Sequence, residues 1–364
     1  MKSSSVNYLL EQLVRLQQRS RSHQRGFTLL ELIVATLMSL LIVGTLLSMV
    51  IDVFRTNTSE EVQTETQQEI DAALDYIARD LREAVFVYTG DDIEDDRIIP
   101  QDDGDVTVDS FGAQLAIPNN SGETVVLALW IIEDLPYNGD DDVANLLPSD
   151  TGKCPTGSLE VECKGLGTER RAFSLVFYTI DTSVEPTWEG PAIIRRTILR
   201  KYDALDSSGA FDLAKGYVDP RKDGSSFKFW PFDNEGIDLQ GDSIDYTKTK
   251  RWALVDRVDD PNNTDPNVLV PNCPAGYSRS PRAGGSIAHT SFYACIRNRL
   301  EPNQIVVNQL LGGDEQAFNY SGGNQDVFVY LRGNPGKAPN GSSLPLPTLQ
   351  TQVITRGVIQ KLNN

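Results

Sequence analysis

At 364 residues, with 40% hydrophobic and 23% charged positions, the chain has the composition of a folded protein of one large or two modest domains. Its 51 acidic against 33 basic residues give a net charge of −18, which argues against nucleic acid as a partner, because Lys and Arg must displace counterions there. Only two histidines, His23 and His289, are present, so chemistry needing paired imidazoles is nearly excluded.

The first 26 residues run against the overall sign: Lys2, Arg15, Arg19, Arg21 and Arg25 face a single acid, Glu11. Residues 27–51 follow as FTLLELIVATLMSLLIVGTLLSMVI, with one charge, Glu31. As a helix this stretch rises about 37 Å, more than the roughly 30 Å core of a bilayer. Arginines before it and Asp52 after it predict a cytoplasmic N-terminus, with everything beyond Ile51 outside. A cleaved secretory signal fits poorly, since its apolar run is about 7–15 residues and ends at a small-residue site. Here the run is longer, and the candidate processing site precedes it.

That junction reads Arg25-Gly26-Phe27-Thr28-Leu29-Leu30-Glu31-Leu32. It resembles the N-terminal signature of the type IV pilin and pseudopilin family, and the match runs over residues 25–36. The resemblance implies that a membrane peptidase cuts between Gly26 and Phe27 and methylates the new amine of Phe27. Residues 1–26 would then be a cytoplasmic leader. It also implies a single-pass protein of a bacterial inner membrane with a periplasmic head, and filament or cell-surface placement after assembly. The partners it implies are other pilin or pseudopilin subunits, the prepilin peptidase, an inner-membrane assembly platform and membrane lipid.

Glu31 has a physical reading of its own. A carboxylate within an apolar membrane helix costs about 2.5–3.5 kcal/mol even on the lenient insertion scale, so it calls for a neutralising partner. The freed amine of Phe27 on a neighbouring subunit is such a partner, and the resemblance implies that pairing. The competing reading is a tolerated acid near the headgroups, only about 6 Å of helix rise from the cut.

Beyond Asp52 the helical pattern continues. Ile70, Leu74, Ile77, Leu81 and Val85 recur at steps of four, three, four and four, with acids and arginines between them. One helix from about Phe27 to about Val87 is predicted, with residues 27–53 in lipid and residues 54–88 laid as an amphipathic half on a head. Residues 89–364 form that head. Runs rich in β-branched and aromatic residues at 125–132, 173–180, 192–202, 252–258, 292–297, 327–331 and 352–359 predict a mainly antiparallel β structure. The fold class is therefore α+β. Within 192–202 the mixture of basic and apolar residues predicts a half-exposed strand, and 259–285 and 333–347 read as loops.

Four cysteines allow three pairings; the most local is Cys154–Cys163 with Cys273–Cys295. Disulfides suit the expected extracytoplasmic side, whereas zinc does not, with no CxxC and one His outside the leader. Acidic runs at 91–96, 102–105 and 138–142 offer hard oxygen ligands for calcium, with Asp140, Asp141 and Asp142 as candidates. None has the EF-hand spacing, so solvated acidic loops are the expectation. No P-loop, HExxH or GxSxG occurs, and no catalytic or cofactor-binding residue is predicted. The expected function is a minor pilin or pseudopilin, a subunit that initiates, joins or caps a filament of a pilus or secretion machine. Its rival is a single-pass anchored binding or enzymatic domain that never polymerises.

Overall fold

The computed structural model describes residues 27–101, 104–117, 122–135, 137, 164, 170–183, 187–202, 213–221, 224–263, 265, 268, 270–282, 288–298, 325–337, 341, 343 and 344–356. In chain order the elements are α1 (Leu29–Glu83), β1 (Ala84–Val87), α2 (Gly90–Glu94), β2 (Arg97–Ile99), β3 (Val106–Val108), α3 (Phe111–Leu115), β4 (Glu123–Asp134), β5 (Arg171–Asp181), β6 (Ala192–Leu199), β7 (Lys250–Val258), β8 (Tyr277–Ser280), β9 (Phe292–Arg297), β10 (Asp326–Arg332) and β11 (Thr348–Ile354). The α+β expectation holds: one long N-terminal helix precedes antiparallel sheets. By its contacts the chain divides into two units, Met1–Thr58 and Ser59–Asn364.

In the first unit every described residue is exposed, from Phe27 to Thr58. This part of α1 is long and apolar enough to cross a membrane. Its threonines do not leave hydroxyls unsatisfied: Thr36 donates to the Ile33 carbonyl at 2.8 Å and Thr45 to the Ile42 carbonyl at 2.9 Å. Asp52 opens the polar stretch that follows.

In the second unit α1 turns amphipathic, and Ile70, Leu74, Ile77 and Leu81 are each at most 3% exposed. Val85 departs from the expected stripe. The helix stops at Glu83, and Ala84-Val85-Phe86-Val87 forms β1, buried along its whole length. β-Branched and aromatic side chains gain more here from pairing with β4, Phe86 opposite Trp130 and Val87 opposite Leu129, than from one more helical turn.

Sheet one has the order β1-β4-β5-β6-β7 and sheet two the order β11-β10-β9-β8, all antiparallel; β2 and β3 form a separate small pair. The α1 stripe packs into a core shared by one face of each sheet, with Leu129, Val176 and Ile194 from sheet one and Ala294, Val329 and Leu331 from sheet two. The opposite face of sheet one is covered by segment 213–249, which contributes Tyr217, Phe227, Trp230 and Ile244 to a second, aromatic core. With both faces buried, β4 and β5 read as nearly unbroken apolar runs rather than alternating ones. The aromatic polar groups are satisfied inside: Trp130 Nε1 donates to Tyr88 Oη, Tyr88 Oη to the Phe227 carbonyl, and Trp230 Nε1 to the Val218 carbonyl.

The sheets meet where Val258 bridges Gly333. A Cβ at Gly333 would lie 2.1 Å from Ile70 Cδ1 and 2.8 Å from Thr66 Cγ2, so only glycine lets this strand end approach the helix so closely. One expected loop and one expected strand change. Residues 259–285 contain β8, and the expected strand at 352–359 begins earlier, at Thr348, and ends at Ile354. The Cys273–Cys295 disulfide is present, tying the segment before β8 to the buried face of β9 with Cα atoms 5.4 Å apart. Cys154 and Cys163 lie outside the described residues, as do Asp140, Asp141 and Asp142.

Candidate functional site

Of the junction residues, Gly26 lies outside the described residues, while Phe27 is 78% exposed. Thr28 precedes the first helical residue and acts as its cap. Its hydroxyl accepts the Glu31 N–H at 3.3 Å, and its carbonyl accepts the Leu32 N–H at 3.2 Å. The spacing Thr28-x-x-Glu31 is that of a capping box, a signal carried by the local sequence. Only the threonine half of the box is made. Among the described residues, the Glu31 carboxylate has no hydrogen-bond or ionic partner. It sits in the first turn, where the positive end of the helix favours an anion, and is exposed on an apolar surface.

The second unit carries buried charge where the sequence predicted a half-exposed strand. Arg196 on β6 is 5% exposed, and its Nε lies 2.7 Å from Asp80 Oδ2 on α1. The Tyr178 hydroxyl donates to the same oxygen at 2.6 Å. Tyr76 and Trp252 present their rings to the guanidinium at 5.4 and 4.9 Å. Burial works against the Arg196 charge, and the adjacent Asp80 carboxylate outweighs it, raising the guanidinium above its ordinary value. Burial, reinforced by Asp80, also keeps the Tyr178 phenol protonated. A second enclosed pair, Arg332 with Asp259 at 2.8 Å, closes the junction of the sheets, with Asn334 and Asn263 donating to the carboxylate.

Acidic positions in the run 91–96 find protein partners. Asp92 completes a capping box with Thr89 at the start of α2. Arg282 binds Asp91 and Asp95, and its backbone N–H donates to Glu94 at 2.6 Å. Among the described residues no group of three or more His, Cys, Asp or Glu is placed to hold a metal ion.

Two further cations, Arg97 buried and Arg279 half-buried, had no signal in the sequence. Arg97 donates to the carbonyls of Asp109, Lys228 and Trp230, and burial lowers its affinity for the proton. Arg279 donates to the His289 carbonyl at 2.7 Å and lies over the Tyr293 ring. Burial, with Arg279 adding to it, pushes His289 down to about 4, so the imidazole is neutral at pH 7. These arrangements hold elements together; none pairs a nucleophile with a base.

No family model matches the chain, and neither does any curated protein or solved structure.

Proposed function

We propose that this chain is a minor pilin or pseudopilin: a structural subunit that initiates, joins or caps a pilus-like or secretion filament after its leader is removed. The observation that carries the reading is the unpartnered Glu31 carboxylate at the capped start of the apolar, exposed part of α1. An ordinary membrane anchor has no use for that carboxylate, which is costly in lipid. A subunit that docks against the amine of a neighbour needs it. The junction Arg25-Gly26-Phe27 immediately before it supports cutting at Gly26 and methylation of Phe27.

In this reading the apolar part of α1 holds the subunit in a bacterial inner membrane until assembly, with the N-terminus cytoplasmic and the Ser59–Asn364 unit in the periplasm. The buried charges of that unit are structural, and the protein is a building element rather than an enzyme. Its partners are other pilin subunits, the prepilin peptidase and an assembly platform.

Intact mass of the membrane-extracted protein tests the processing step. The expected mature chain starts at N-methyl-Phe27; a chain still carrying Met1 in peptidase-competent cells removes the basis of the reading. Glu31→Ala should leave membrane insertion intact and abolish cross-linking to neighbouring pilin subunits. If cross-linking and secretion or piliation were unchanged, the anchored, non-polymerising domain would be the better description.

A further inference from the structure

Four sheet edges occur in the two main sheets, and three of them are protected. β1 is only four residues long, and its outward Val87 N–H is taken by the Gln325 side chain at 3.1 Å. β7 carries Lys250, Arg251, Asp256 and Arg257, charges that discourage another strand from adding. β8 is four residues long and carries Arg279. β11 has none of these devices. It runs for seven residues, Thr348-Leu-Gln-Thr-Gln-Val-Ile354, without a charge, and among the described residues no strand pairs with its outer side. Ile354 at its end is 62% exposed.

The order of residues along β11 decides what fits there. Leu349, Thr351 and Val353 face the core side; Thr348, Gln350, Gln352 and Ile354 face out and are exposed. Turned end for end about Thr351, the strand matches itself. Thr351 meets Thr351 of a second copy, Gln350 meets Gln352, Leu349 meets Val353, and at the two ends Thr348 meets Ile354. Apolar groups then lie beside apolar groups on the core face, and amides beside amides on the outer face, as cross-strand pairing favours. Pro347, which has no N–H to give, ends the ladder just before Thr348. Charge points the same way. Two copies of a chain with net charge −18 repel, and an uncharged strand is where their backbones meet at least cost.

We propose that β11 is a self-pairing edge through which two copies of this chain join, antiparallel about a two-fold axis at Thr351. The two four-stranded sheets become one continuous eight-stranded sheet. The contact is isologous and closes at two copies, so it makes a dimer and not a fibre. It stands whether or not the chain is a pilin.

The test uses the full chain in detergent micelles. Thr351→Cys should form a covalent dimer on a non-reducing gel, because the two residues face each other across the axis. Ile354→Cys, at a more accessible position than Thr351, should not, since its copy lies about 20 Å away at roughly 3.4 Å per residue. Charge then checks the register. Adding Gln350→Lys with Gln352→Lys to Thr351→Cys places like charges opposite each other at both sites and should cut dimer yield about tenfold. Adding Gln350→Glu with Gln352→Lys places opposite charges there and should preserve it, while the ammonium introduced by Gln352→Lys keeps Asp326 as a neighbour in place of the bonds that Gln352 makes. Both double variants alter the same two exposed positions, so a general folding defect would lower both. Dimer formation at Ile354→Cys equal to that at Thr351→Cys, equal effects of the two charge variants, or no dimer at Thr351→Cys would each overturn the proposal.

Discussion

Asp80→Ala should destabilise the Ser59–Asn364 unit by about 3–5 kcal/mol, the usual cost of stranding one partner of a buried ion pair. The substitution removes the carboxylate that Arg196 and Tyr178 both address, and each of those residues is buried away from solvent. Arg196 would keep its two flanking rings, but these attract a cation much more weakly than a carboxylate at 2.7 Å. Denaturant unfolding followed by near-UV circular dichroism measures the change. Replacing both partners by apolar residues, Asp80→Leu with Arg196→Met, should recover most of the loss, since no charge is then left buried. Equal destabilisation by the single and double changes would show that packing, not charge, sets the cost.

A chain beginning at Asn57 should be soluble and melt cooperatively, whereas one beginning at Tyr88 should aggregate. The first keeps every α1 residue that is buried; the second loses Ile70, Leu74, Ile77 and Leu81, together with Asp80 and all of β1. Burying four such aliphatic side chains contributes about 6–12 kcal/mol, as much as the whole net stability of a typical domain. Removing them would also uncover the faces of both sheets that share the core with them. Scanning calorimetry and size-exclusion chromatography of the two chains decide the matter. Indistinguishable melting would mean that the stripe is not core in solution.

What could be read from sequence follows from the range of the interactions involved. The α1 stripe was legible because burial repeats every three or four residues along one helix, and the strands β4, β5 and β9 because local runs of β-branched and aromatic residues mark them. The helix end was misplaced because Val85 keeps the helical spacing while the segment it belongs to pairs with β4, over forty residues on. The pairing of Arg196 with Asp80 spans 116 positions, so no local pattern announces it, and a buried arginine in a strand looks like a surface one. Arg97 is harder still, since its partners are backbone carbonyls, which any sequence offers everywhere. The described residues of segment 213–249 supply much of the cover of one sheet face, beside α2 and α3, with almost no regular structure, so neither helical nor strand periodicity could reveal them. At the junction the reverse holds. Phe27 and Glu31 were conspicuous by type, and the Thr28 cap beside them was readable from its spacing to Glu31.

The threonines of the apolar part of α1 bear on what the proposed role as a filament subunit would ask of this segment. Thr36 and Thr45 spend their hydroxyl protons on carbonyls of their own helix, so apart from Glu31 and the hydroxyls of Ser39 and Ser48 the segment meets its surroundings through hydrocarbon. Such a segment is indifferent to whether its neighbours are acyl chains or other helices of the same kind, because no polar bond has to be broken in passing from one to the other. Water is the one environment it must not cross. If the proposed role holds, extraction is feasible only as a direct hand-over, lipid on one flank being exchanged for protein on the other, with the Glu31 charge as its main polar cost.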